Sequence, residues 1–102
     1  MSSRSVRPIS SDPLFFGRAI AVAAGQAGVS REQIMSVRKT TPIVHARYAT
    51  MLALRRRGMS LPSIGRRLGR DHTTVLYALR RAEHMAATCE VFADLFQKVD
   101  RA

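Results

Sequence analysis

The chain has 102 residues and a formal net charge of +10, with 17 Lys and Arg against 7 Asp and Glu. That length holds one small domain. The single cysteine, Cys89, excludes an internal disulfide and a thiolate metal cluster, and no apolar run nears the roughly 18 residues that span a bilayer. With six aromatic residues and no Trp, the core must be filled by Leu, Ile, Val, Met and Ala, which suits closely packed small helices.

The charge is not spread evenly. Residues 30–81 carry twelve Lys and Arg and two acids (Glu32, Asp71), a net of +10, whereas the flanks carry five of each sign and cancel. Solubility does not require one sign of charge to be gathered in one segment. A polyanionic partner does, because each Lys or Arg that meets a phosphate releases condensed counterions.

In chain order, residues 1–11 are rich in Ser and Arg, contain little to bury, and are expected to be a disordered tail. They lack the apolar stretch of a secretory signal, so a cytoplasmic protein is expected, associated with the nucleoid if its polyanion is DNA. Asp12-Pro13 predicts a helix start, with Asp as cap and Pro at the first helical position. Leu14, Phe15, Arg18, Ala19, Val22 and Ala23 then recur at helical spacing up to Gly28. Ser30 and Gln33 form a capping-box pair opening a short helix, with Ile34 and Val37 as its buried positions. Arg38-Lys39-Thr40-Thr41-Pro42 is a basic connection. A long helix is predicted from Ile43 to Arg57, with Val44, Met51, Leu52 and Leu54 inward, Arg47, Arg55, Arg56 and Arg57 at its surface, and Gly58 as its C-cap.

The stretch from Ser60 to Arg81, SLPSIGRRLGRDHTTVLYALRR, describes two helices joined by a tight turn. Ser60 caps the first, Pro62 falls in its opening turn, and Leu61, Ile64 and Leu68 form its apolar side. Gly65 interrupts that helix at a cost of about 1 kcal/mol relative to Ala, which a close approach by another backbone would justify. Gly69 supplies the turn and Asp71 caps the second helix. Asp71, His72, Thr73 and Thr74 are short, polar and set among arginines, as a helix that reads DNA bases requires. An N-cap followed by exposed polar residues is the plainer account of the same four. Beyond Met85, the residues Val91, Phe92, Leu95, Phe96 and Val99 form an apolar stripe on a final amphipathic helix, placed at 87–102 as a unit separate from 12–86. Core packing is the ordinary use of such a stripe, and a partner chain is the other.

No catalytic constellation is present. There is no GxxxxGK[ST] loop to cradle phosphates, and Asp71-His72 has no nucleophile beside it. His84 and Cys89 lack further ligands for zinc. A non-enzyme without cofactor or metal is expected.

The segment from about Ala21 to Met85 resembles the C-terminal DNA-binding domain of the bacterial replication initiator family DnaA, as a stand-alone relative without the ATPase. GVSREQIMS, RYATMLALRRRG, MSLPSIGRRLG and above all RDHTTVLYALRR carry the resemblance. It implies an all-α, Trp-repressor-like domain with a helix-turn-helix core that binds a DnaA box in duplex DNA, one monomer per site. It also implies roles for residues. Asp71, His72, Thr73 and Thr74 would face base edges in the major groove. Lys39, standing where the family has an arginine, would enter the minor groove. Arg38, Arg47, Arg55, Ser60, Leu61, Pro62, Arg66, Arg70 and Arg80 would contact the DNA backbone. Tyr77 stands where the family often has His. The function expected is regulation of replication initiation or of transcription. The alternative is an interaction module for the initiator or one of its regulators, acting through the stripe after Thr88.

Overall fold

The computed structural model describes residues 13–102, and both the Ser/Arg tail and Asp12 lie outside the described residues. Among the described residues there are six helices and no strand: α1 (Phe15–Ala27), α2 (Arg31–Met35), α3 (Thr41–Arg56), α4 (Leu61–Leu68), α5 (His72–Thr88) and α6 (Glu90–Asp100). The fold is all-α.

α3 is the central element. It packs against α1, α2, α4, α5 and α6, and buries Ile43, Ala46, Ala49, Met51, Leu52, Ala53 and Leu54. A helix covered on so many sides cannot show a clean one-sided stripe, because small residues such as Ala46, Ala49 and Ala53 also face neighbours. Its buried hydroxyl, Thr50 Oγ1, donates to the Ala46 carbonyl at 2.8 Å and so carries no unmet hydrogen-bonding demand.

Several local signals act as expected. Ser30 Oγ accepts from the Gln33 amide at 3.0 Å and Gln33 Oε1 from the Ser30 amide at 2.9 Å, which completes the capping box. Gly28 (φ 71°) ends α1 and Gly69 (φ 68°) ends α4, both in the left-handed region where a Cβ is penalised. α5 buries Val75, Ala78, Leu79 and Ala82, the i, i+3, i+4, i+7 pattern of a surface helix.

Others are corrected. α1 starts at Phe15, so Pro13 lies in a preceding turn and Leu14 is exposed at the N-cap. α2 stops at Met35, which leaves Val37 in the following loop, 85% exposed and not buried. Pro42 falls within the first turn of α3, where its missing N–H costs nothing. The C-cap of α3 is Arg57, with Gly58 (φ 91°) immediately beyond it.

α6 shares the single hydrophobic core. Phe92, Leu95 and Val99 are buried against α1, α3 and α5, and the Phe92 ring meets that of His45 edge-on at 5.5 Å between centroids. Phe96 is half-buried under the Arg56 guanidinium, and Val91 turns outward. The stripe is therefore spent on the protein's own interior and is not a free docking face. Arg57 anchors this end from below: it stacks 4.1 Å over the Phe15 ring, and its two terminal nitrogens donate to the carboxylate and carbonyl of Asp100 at 3.3 and 2.6 Å.

Candidate nucleic-acid interface

Gly69, Arg70 and Asp71 form the three-residue turn between α4 and α5. The turn is tight because the Gly65 carbonyl receives the amides of both Gly69 and Arg70, the latter at 2.8 Å. A Cβ on Gly65 would lie 2.2 Å from the Arg70 carbonyl oxygen, so the close backbone approach expected at this glycine is present.

Asp71 caps α5. One carboxylate oxygen accepts from the Thr73 and Thr74 amides at 2.8 and 3.0 Å, and the other lies 3.4 Å from the Thr74 hydroxyl. The Thr74 amide bond, assisted by that of Thr73, holds the Asp71 carboxyl below the usual aspartate range, against a smaller opposing desolvation. Because the folded-state pKa is depressed, the cap's contribution is complete above the unfolded value of about 3.9 and is lost as pH falls through the lower folded value. We expect the Thr73 and Thr74 amide resonances to titrate together in that acidic window. Asp71→Asn, which can still cap, should remove the titration while retaining the helix start. Amide shifts that stay flat in the parent would contradict the assignment.

The capping role does not remove the edge from solvent. Asp71, His72, Thr73 and Thr74 are all exposed, and Tyr77, one turn further along, is 60% exposed. Thr74, Tyr77 and Arg81 line one wall of a groove of about 560 Å³, and Val37, Lys39 and Arg70 lie on its other sides. The structure thus brings Lys39, 35 residues earlier in the chain, to the same groove as Thr74. Lys39 and Arg38 are both exposed.

The arginines expected at the DNA backbone separate into two groups. Arg38, Arg55, Arg66 and Arg80 are exposed, with Arg55 donating to the Met59 carbonyl at 3.0 Å and Arg66 to the Ser63 hydroxyl at 3.0 Å. Ser60 and Pro62 are exposed at the start of α4, where Ser60 Oγ accepts from the Ser63 amide at 3.2 Å, while Leu61 is half-buried. Arg47 and Arg70 differ. Arg47 is only 5% exposed, contrary to the surface position expected for it, and donates from Nε to the Ile34 carbonyl at 2.8 Å and from Nη2 to the Ser36 carbonyl at 2.7 Å. Burial, and secondarily the nearby Arg70 charge, lowers its pKa, and burial alone lowers that of Arg70.

Between described residues, Asp94 pairs with Lys98 within α6, and Asp100 of α6 pairs with Arg56 and Arg57 at the end of α3. None of these pairs neutralises the cations around the groove. Tyr77, Arg81 and Val37 were not among the expected contacts. The first two follow Thr74 at i+3 and i+7, the spacing of one helix face, so the signal for them was available. Val37 was not legible, because its exposure depends on where α2 stops.

The family model described as the bacterial dnaA protein helix-turn-helix matches residues 18–82. The chain is 43% identical over 82 residues to the chromosomal replication initiator protein DnaA of Rhodopseudomonas palustris (strain BisB18), and 42% identical over 82 residues to that of Nitrobacter hamburgensis. Each alignment covers 78% of this chain and 17% of the relative, so the chain spans about a sixth of the length of the proteins it matches. A helix-turn-helix of the right sequence, folded around the right turn, places the chain in the bacterial DnaA helix-turn-helix family.

Proposed function

We propose that this chain binds duplex DNA sequence-specifically at DnaA-box-like sites, as a regulator of replication initiation or transcription that contributes recognition and no ATP hydrolysis. One observation carries the reading: Thr74, the last residue of the exposed polar helix edge that begins at Asp71, shares a groove with Lys39, Arg70 and Arg81, and none of the ion pairs between described residues involves these cations. Thr and His side chains can exchange hydrogen bonds with base edges, and a Thr methyl can lie against thymine. Exposed Arg38, Arg55, Arg66 and Arg80, with Ser60 and Pro62 at the start of α4, supply contacts of the type that fix a protein on the phosphates.

The experiment is a titration of a DnaA-box duplex against a scrambled one at two salt concentrations, because the specificity ratio distinguishes base reading from simple charge attraction. His72→Ala and Thr74→Val should each weaken the box by about 1–3 kcal/mol while leaving the scrambled duplex nearly unchanged. Arg80→Ala should weaken both duplexes alike and reduce the salt slope by about 1. If the parent binds both duplexes equally, base reading is wrong. If His72→Ala and Thr74→Val weaken both alike, the edge is a phosphate contact.

A further inference from the structure

The segment that carries Arg38 and Lys39, residues 36–40, belongs to no helix. Its position is set at its first residue. Ser36 Oγ donates to the Gln33 carbonyl at 2.6 Å and accepts from the Arg38 amide at 3.1 Å, and the Ser36 carbonyl receives Nη2 of both Arg47 and Arg70. Arg47 comes from α3 and also holds the Ile34 carbonyl. Arg70 comes from the turn before α5, and its Nη1 donates to the carbonyls of Met35 at 3.1 Å and Leu68 at 2.6 Å. One guanidinium therefore joins the C-terminal end of α4 to the C-terminal end of α2.

Two cations brought together and partly withdrawn from water repel and are under-solvated, so this arrangement costs stability that its hydrogen bonds must offset. The helix ends offer partial compensation, since the last carbonyls of α2 and α4 carry the negative end of each dipole. A planar fork is needed to hold several carbonyls at once, and an ammonium group cannot reproduce it. The fork ties the end of α2, three residues before Lys39, to the turn three residues before Thr74, and Lys39 and Thr74 line one groove.

We propose that Arg47 and Arg70 are positioning residues, a two-arginine clasp on the Ser36 carbonyl that sets the Arg38-Lys39 segment in register with the leading edge of α5. This rests on the DNA-binding reading for its consequence, though not for its geometry. The donors of these two arginines that are engaged with carbonyls are not the ones offered to phosphates. Their contribution to recognition is made through Lys39, and both Lys39 and the helix edge then meet one duplex at a fixed spacing.

The test uses the full chain with Arg70→Lys, Arg47→Lys, Lys39→Ala and the Arg70→Lys/Lys39→Ala pair, each confirmed as folded by its thermal transition. Arg70→Lys preserves charge, so a phosphate contact would be largely retained, whereas the clasp would be lost. We expect Arg70→Lys to weaken the box duplex about tenfold, the scale of one lost base contact, with the scrambled duplex within twofold of the parent. Adding Lys39→Ala to it should then cost little more, because a misplaced Lys39 has nothing left to lose. Arg47→Lys should behave in the same way. Independently of DNA, Arg70→Lys should lower the heteronuclear NOE of residues 37–40 and leave α6 unchanged. Parent-like binding by Arg70→Lys, fully additive losses with Lys39→Ala, or an unchanged NOE would overturn the clasp. A parent that does not discriminate between duplexes would overturn the DNA reading alone, and the NOE would still decide the clasp.

Discussion

Phe92→Ala is expected to lower stability by about 3–5 kcal/mol, the usual cost of removing a buried aromatic ring. Phe92 has no exposed surface, and it fills space between α6 and the α1–α3 layer while meeting His45 edge-on. For a domain of this size each kcal/mol moves the melting temperature by about 4–8 °C, so the midpoint should fall by roughly 20 °C. Deleting the chain after Thr88 removes Phe92, Leu95 and Val99 together and should abolish the cooperative transition. Val91→Ala is the control: that side chain is 72% exposed, and the change should remain within about 0.5 kcal/mol. Urea denaturation of the three variants decides the matter. A Phe92→Ala protein within about 1 kcal/mol of the parent would mean that α6 is an appendage, and its stripe would again be a candidate docking face.

That outcome also explains why the stripe was ambiguous in the sequence. Its spacing shows that one face of the helix must be covered, but spacing is the same whether the cover is the chain's own core or another protein. The turn chemistry was legible for the opposite reason. Ser30, Ser60 and Asp71 act on amides two or three residues away, and Gly28 and Gly69 act on their own backbone, so each is decided locally. Arg47 shows where local reasoning stops. A helical wheel sets it on the buried side, four residues from both Ile43 and Met51, but its charge assigns it to the surface with Arg55 and Arg56, because nothing in the helix itself offers a buried guanidinium an acceptor. Only the arrival of the α2 C-terminus, placed by long-range packing, turns it inward to three carbonyls. The same packing brings Lys39 and Arg70 to one groove and makes neighbours of residues whose separation in the chain gave no hint of it.

Gly65→Ala should have the other large effect, and its sign opposes simple helix propensity. Ala is favoured over Gly inside a helix by about 1 kcal/mol, and at Gly25 of α1, where an added Cβ meets nothing within 4 Å, the same substitution should stabilise by up to that amount. At Gly65 the new Cβ would lie 2.2 Å from the Arg70 carbonyl oxygen and 3.3 Å from its carbon, both backbone atoms of the turn. No flexible side chain can yield, so the turn itself must move. That movement strains the bonds that Gly65 makes to the Gly69 and Arg70 amides, and it draws Arg70 away from Met35 and Ser36. Overpacking of this kind costs about 1–3 kcal/mol, and with several hydrogen bonds attached to the displaced atoms we expect a net loss near 2 kcal/mol. The displacement should also reach recognition, because Asp71 begins α5 at the far side of the same turn. Box affinity should therefore fall further than the folded fraction accounts for, while affinity for a scrambled duplex follows the folded fraction alone. Paired melts of Gly25→Ala and Gly65→Ala give the comparison directly. Two shifts of the same upward sign would mean that the turn is loose enough to admit a methyl group, and α4 and α5 would then not be held at the fixed spacing that a base-reading helix needs.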